Sequence, residues 1–150
     1  MAHQYAPCSE AKDLFKKLVE KYPEKFGGLV GAGFDFLSQT GGITMAGSKK
    51  AAKIEKLTGV KKWYSRNEEN TEGADYLITV CAETWGLASD VQKERIIFHE
   101  MKHALIDEDK EGAPVFKLVD HEIAGFADEF QIYGGGDDII GLLALSGAKE

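Results

Sequence analysis

From Ser9 to about Lys25, the apolar positions Leu14, Phe15, Leu18, Val19 and Tyr22 recur at helical spacing, with Lys12, Lys16, Lys17 and Glu20 turned away from them. Ser9 suits an N-cap and Gly27-Gly28 stop the segment, so the pattern predicts an amphipathic first helix. Leu29 to Leu37 is apolar, small and aromatic, which predicts a buried strand between glycine-rich turns. Gly31-Ala32-Gly33 within it is no dinucleotide loop, because Phe36 stands where the third glycine belongs. The strongest strand signal is Tyr76 to Trp85, rich in β-branched and aromatic residues. Ser89-Asp90-Val91-Gln92 then reads as a capping box, opening a helix through Ile96, Ile97, His99, Glu100 and His103 to about Ile106. A charged loop from Asp107 to Pro114 and a short apolar stretch, Val115 to Val119, follow. Asp120 reads as the N-cap of a helix carrying Ile123, Phe126, Ala127 and Phe130 and stopped by Gly134-Gly135-Gly136. The tail from Asp137 to Leu145 can form one more short helix. Strands among helices without strict alternation predict an α+β fold.

Composition narrows the function classes. A chain of 150 residues fits a single domain spanning 1–150. Its 43% hydrophobic and 29% charged residues are a globular mixture, and no 18-residue apolar run exists, which excludes a membrane-spanning helix. Cys8 and Cys81 make no disulfide framework, and the N-terminus has no basic head or apolar run of a secretory signal. A cytoplasmic protein is the expectation. Eighteen Lys and Arg against 25 Asp and Glu give a net charge of −7, which argues against a dedicated nucleic-acid binder. The exception is Lys49 to Arg66, with seven basic groups and one acid, Glu55. It is either a patch for nucleic acid or another anion, or a solvated face around Ile54, Leu57 and Val60.

The chemistry concentrates in His99-Glu100-Met101-Lys102-His103, an H-E-x-x-H motif in mid-helix. Side chains at i and i+4 share one helical face, so both imidazoles can reach a single metal ion. Glu100 follows the first ligand and can act on a water instead of the metal, the arrangement of a zinc protease with a general base. Apolar Ile96, Ile97 and Phe98 ahead of the motif, with Ala104 and Leu105 after it, distinguish it from an exposed histidine pair. A catalytic zinc site needs a third protein ligand and one open position. His121, 18 residues after His103, is the first candidate; Glu122 competes, and Asp120 is better placed as an N-cap. His3 is incidental.

With these residues in hand, Tyr76 to Gly134 resembles the phage metallopeptidase family, small single-domain proteins similar to minimal zincins. The matching pieces are the H-E-M-K-H motif, Gly112-Ala113-Pro114-Val115-Phe116, His121-Glu122 with Phe126, and Tyr133-Gly134. The sequence departs from the family pattern at Glu122, Ala124, Gly125 and Ile132. The resemblance implies a minimal zincin-like fold: an N-terminal helix, a small mixed β-sheet, the H-E-x-x-H helix and a following helix with the third ligand. It implies Zn2+ and peptide-bond hydrolysis of a peptide or protein substrate. It further suggests that Tyr76 to Glu83 lies at the sheet edge, where substrate adds as an extra strand, and that Tyr133 can stabilise the developing oxyanion.

Two other readings remain at this point: a non-catalytic binding or structural protein stabilised by zinc, and a DNA-associated protease of the SprT-like kind docking through Lys49–Arg66. Neither the substrate nor the oligomeric state is legible in the sequence.

Overall fold

The computed structural model describes residues 3–45, 47–119 and 127–133. Strand β1 (Tyr5–Pro7) leads into α1 (Ser9–Lys21), whose Ala11 and Leu18 are fully buried. Pro23 prevents the helix from continuing to Lys25, and the chain restarts as α2 (Pro23–Phe26) and a 3-10 turn (Gly27–Gly31). The expected strand therefore begins later than the apolar run suggests, as β2 (Phe34–Gln39). A hairpin of β3 (Ile43–Met45) and β4 (Ser48–Lys50) comes next, then β5 (Ala52–Lys56) and the short helix α3 (Gly59–Tyr64). Strand β6 (Tyr76–Cys81) passes directly into α4 (Ala82–Leu87), so the β-rich segment ending at Trp85 is half strand and half helix.

Four strands form one mixed sheet in the order β1-β2-β6-β5, with β2 and β6 parallel and both outer pairs antiparallel. Strand β6 is thus central, and the expectation that it forms the sheet edge is corrected. Its burial explains the placement: Tyr76, Ile78 and Val80 have no exposed surface, and a largely apolar strand gains most from neighbours on both sides. The edge beside the site belongs to β5 instead.

One sheet face carries Phe34, Phe36, Ile54, Tyr76, Ile78 and Val80, which pack against Leu18 of α1 and against α5 (Asp90–Lys102). Helix α5 inserts Ile96, Ile97, Phe98 and Met101 into this core, and Phe98 meets Phe26 edge to face. Its N-terminus is the capping box expected: Ser89 Oγ accepts from Gln92 N, while the Gln92 side chain accepts from Ser89 N. Such a cap contributes about 1 kcal/mol and fixes where the helix starts.

The helix ends earlier than expected, at Lys102, with His103 as its C-cap. Ala104 to Ile106, read as helical from their apolarity, instead pair with Phe116 to Leu118. The resulting hairpin of β7 (Ala104–Glu108) and β8 (Pro114–Leu118) turns at Gly112, whose φ of 82° suits glycine. The Tyr76 hydroxyl lies 3.1 and 2.8 Å from the Leu105 and Lys117 carbonyls, tying this hairpin to the central strand. Helix α6 (Ala127–Tyr133) is the described part of the segment predicted to be helical from Asp120. The expected tail helix, 137–145, lies outside the described residues. No helix among the described residues is long and apolar enough to cross a membrane.

Candidate metal centre

Helix α5 presents His99 and His103 from its last turn, not mid-helix, and their Nε2 atoms stand 3.3 Å apart. Each ring is oriented from its other nitrogen. His99 Nδ1 lies 2.7 Å from Glu129 Oε1, and His103 Nδ1 donates to the Val119 carbonyl. A carbonyl or carboxylate at Nδ1 holds the proton there, so in the neutral rings both Nε2 lone pairs face each other. Two such lone pairs repel unless a proton or a metal cation lies between them.

A metal ion fits this geometry. Two Zn–N bonds of about 2.0–2.1 Å meeting at a tetrahedral angle place the nitrogens about 3.3–3.4 Å apart. The outer acceptors match the usual pattern in which a ligating imidazole gives its second N–H to a carboxylate or a backbone carbonyl.

Glu129 also receives Arg95 Nε on its second oxygen, at 2.8 Å. Arg95 has no exposed surface and Glu129 only 3%, so this pair is inside the protein. Burial opposes a charge on His99, but the Glu129 hydrogen bond and the Glu100 and Glu129 carboxylates outweigh it and raise its pKa. Glu100 is buried beside them. Desolvation dominates and pushes its carboxyl up to about 7, against the opposing pull of positive charge at His99 and Lys50.

The remaining expected site residues divide clearly. His121 and Glu122, with Asp120, lie outside the described residues. Among the described residues, no set of three His, Cys, Asp or Glu groups converges to hold a metal. The Tyr133 hydroxyl donates to Glu94 Oε2 at 2.6 Å, and its ring packs edge to face on Phe98. His3 sits apart, with Nδ1 2.8 Å from the Thr40 carbonyl.

Sequence reasoning missed Glu129, Arg95 and the Val119 carbonyl. A signal existed for the first, since Glu129 stands four residues before Tyr133, at the spacing of one helical stripe. An acid on an apolar stripe calls for a buried partner. Cavity size does not mark the site either. A concavity of about 430 Å³, lined by Asp35, Leu37, Lys53, Tyr64 and Thr79 among others, opens on the sheet face opposite α5 and takes no residue from that helix.

A helix-borne imidazole pair, oriented from outside and flanked by a buried carboxylate, is an arrangement that can take part in holding a metal ion. The family model described as "Putative phage metallopeptidase" matches residues 3–144, and the chain belongs to that family. The family is one of metallopeptidases and so implies a metal cofactor. No curated protein and no solved structure matches the chain.

Proposed function

We propose that the protein is a zinc metallopeptidase that hydrolyses peptide bonds, with His99 and His103 on the metal and Glu100 as general base. The observation that carries this reading is the 3.3 Å approach of two Nε2 atoms whose Nδ1 positions are both engaged elsewhere. Bound zinc would supply Lewis acidity, polarising the scissile carbonyl and lowering the pKa of water towards neutrality. Glu100, buried beside the imidazoles, would take a proton from the attacking water and pass it to the departing amine. Glu129 and Val119 hold the two imidazoles in the tautomer that presents the Nε2 lone pair to a metal.

The third ligand comes from His121 or Glu122. Supporting this, Val119 on one side of residues 120–126 touches His103, and Glu129 on the other side touches His99.

Substrate would add along β5. In the β5–β6 ladder, Leu57 N donates to the Asp75 carbonyl and Cys81 N to the Ala51 carbonyl. The bonded pairs of an antiparallel ladder alternate, so the odd-numbered residues of β5 bond inward. Ala52, Ile54 and Lys56 accordingly direct their N–H and C=O groups to the free edge, where an extended peptide can pair. Tyr133, with its hydroxyl on Glu94, has no part in this scheme.

Metal analysis and cleavage assays on wild type and Glu100→Gln test the proposal. We expect both to hold stoichiometric zinc, and only wild type to cut an unfolded protein substrate such as reduced casein. Equal cleavage by the variant removes the general-base role. Zinc without any cleavage by wild type favours the alternative of a zinc-stabilised binding protein.

A further inference from the structure

The edge strand that flanks the metal centre is strongly basic on a molecule that is otherwise acidic. Lys49, Lys50, Lys53 and Lys56 fall within eight residues on or beside β5, in a chain of net charge −7. One acid, Glu55, interrupts them, and it is already shared by Lys53 and Lys61, each at 3.5 Å. Among the described residues Lys49, Lys50 and Lys56 have no carboxylate within ion-pair distance, and all three are exposed. Two lone lysines on a surface would mean little. Here, however, the charges run along backbone whose N–H and C=O groups at Ala52, Ile54 and Lys56 are left unused by the β5–β6 ladder and point away from β6.

We propose that the segment recognised along β5 is an acidic peptide, an extended stretch of substrate carrying Asp or Glu opposite Lys50 and Lys56. The inference rests on the peptidase reading above and names the substrate class for that site. Backbone pairing supplies register without sequence preference, and the lysines supply the preference by charge complementarity. Elsewhere the net negative charge repels an acidic chain, so the field guides it to this edge. Lys50 also lies within electrostatic reach of Glu100, which brings the basic strip to the reacting end of the site. Nucleic acid would satisfy the lysines but would leave the strand's unpaired amide groups without matching partners, so a peptide is the better occupant.

The test uses three acetylated, fluorescein-labelled decapeptides that differ only in carrying Asp/Glu, Asn/Gln or Lys at alternate positions. Binding is read by fluorescence anisotropy on zinc-loaded Glu100→Gln, and cleavage on wild type. The acidic peptide should bind about tenfold more tightly than the amide peptide at low salt, with the advantage largely lost near 0.5 M salt. In Lys50→Glu/Lys56→Glu, both on exposed positions, the order should reverse in favour of the lysine peptide. Equal binding of the three peptides overturns the inference even if all are cleaved, which leaves the peptidase reading standing. Preferential binding of the acidic peptide without cleavage by wild type sustains the inference and counts against the peptidase reading. Tighter binding of a single-stranded oligonucleotide of the same charge assigns the strip to nucleic acid and overturns it.

Discussion

His99 and His103 face each other across 3.3 Å, and each is held in that pose by a group from beyond the helix that bears them. For His99 the group is Glu129, whose other oxygen is taken by Arg95. The imidazole is therefore positioned by a charge pair buried beneath it. We predict that Glu129→Gln, which keeps the shape and removes the charge, weakens zinc affinity by about 10–100-fold. The same change removes the carboxylate that meets Arg95 Nε in the interior and should lower stability. Chelator competition reads the first effect and thermal unfolding of the metal-free protein the second. Unchanged zinc affinity would remove Glu129 from the site.

The H-E-x-x-H residues and the capped start of their helix were legible because both are local: a five-residue spacing and a four-residue cap carry their own geometry. What surrounds them was not. The end of α5 depends on Ala104 to Ile106 finding Phe116 to Leu118, a pairing that an apolar run cannot distinguish from more helix. The placement of β6 at the centre of the sheet depends on β2 and β5, distant in sequence. Glu129 reaches His99 across 30 residues, so nothing in local spacing announces it.

Glu100 gives a pH dependence whose sign is fixed by its environment. Its carboxyl titrates near 7 in the folded metal-free protein and near the ordinary glutamate value once unfolded. Between those values the folded state binds more protons, so stability falls as pH rises from about 4.5 to about 7 and then levels off. The shift sets an upper bound on the order of 3 kcal/mol. Denaturant unfolding of metal-free wild type and Glu100→Gln across this range should show wild type losing stability relative to the variant. A constant difference would mean that Glu100 is not buried as an acid.

Tyr133 separates packing from catalysis. Its hydroxyl donates to Glu94, which Lys17 and Lys21 also approach, at 3.4 and 3.6 Å. Burial, together with the adjoining carboxylate, raises the phenol's pKa, so it stays a donor at neutral pH. We expect Tyr133→Phe to cost about 1.5–3 kcal/mol, the range for a hydrogen bond to a charged group, and to leave kcat for peptide cleavage unchanged. A loss of kcat of about 10²-fold or more, with KM and the melting temperature preserved, would restore the oxyanion role.

The third ligand can be decided from the metal itself. Val119 is tied to His103 twice, its N–H donating to the His103 carbonyl at 2.7 Å and its own carbonyl accepting from Nδ1. Two residues of extended chain span at most about 7 Å, so the chain is long enough for His121 to be brought to the imidazole pair. Glu122, one residue further, is the competitor. An imidazole completes a three-nitrogen zinc site and a carboxylate a two-nitrogen, one-oxygen site; both are known zinc chemistries, so donor type alone does not choose. Proximity favours His121. We therefore predict that His121→Ala loses zinc at a chelator concentration that wild type withstands, whereas Glu122→Ala retains it. With cobalt in place of zinc, wild type should show the intense visible absorption of a four-coordinate ion, and His121→Ala should lose it. If Glu122→Ala is the variant that sheds zinc, and His121→Ala keeps both metal and spectrum, the third ligand is Glu122.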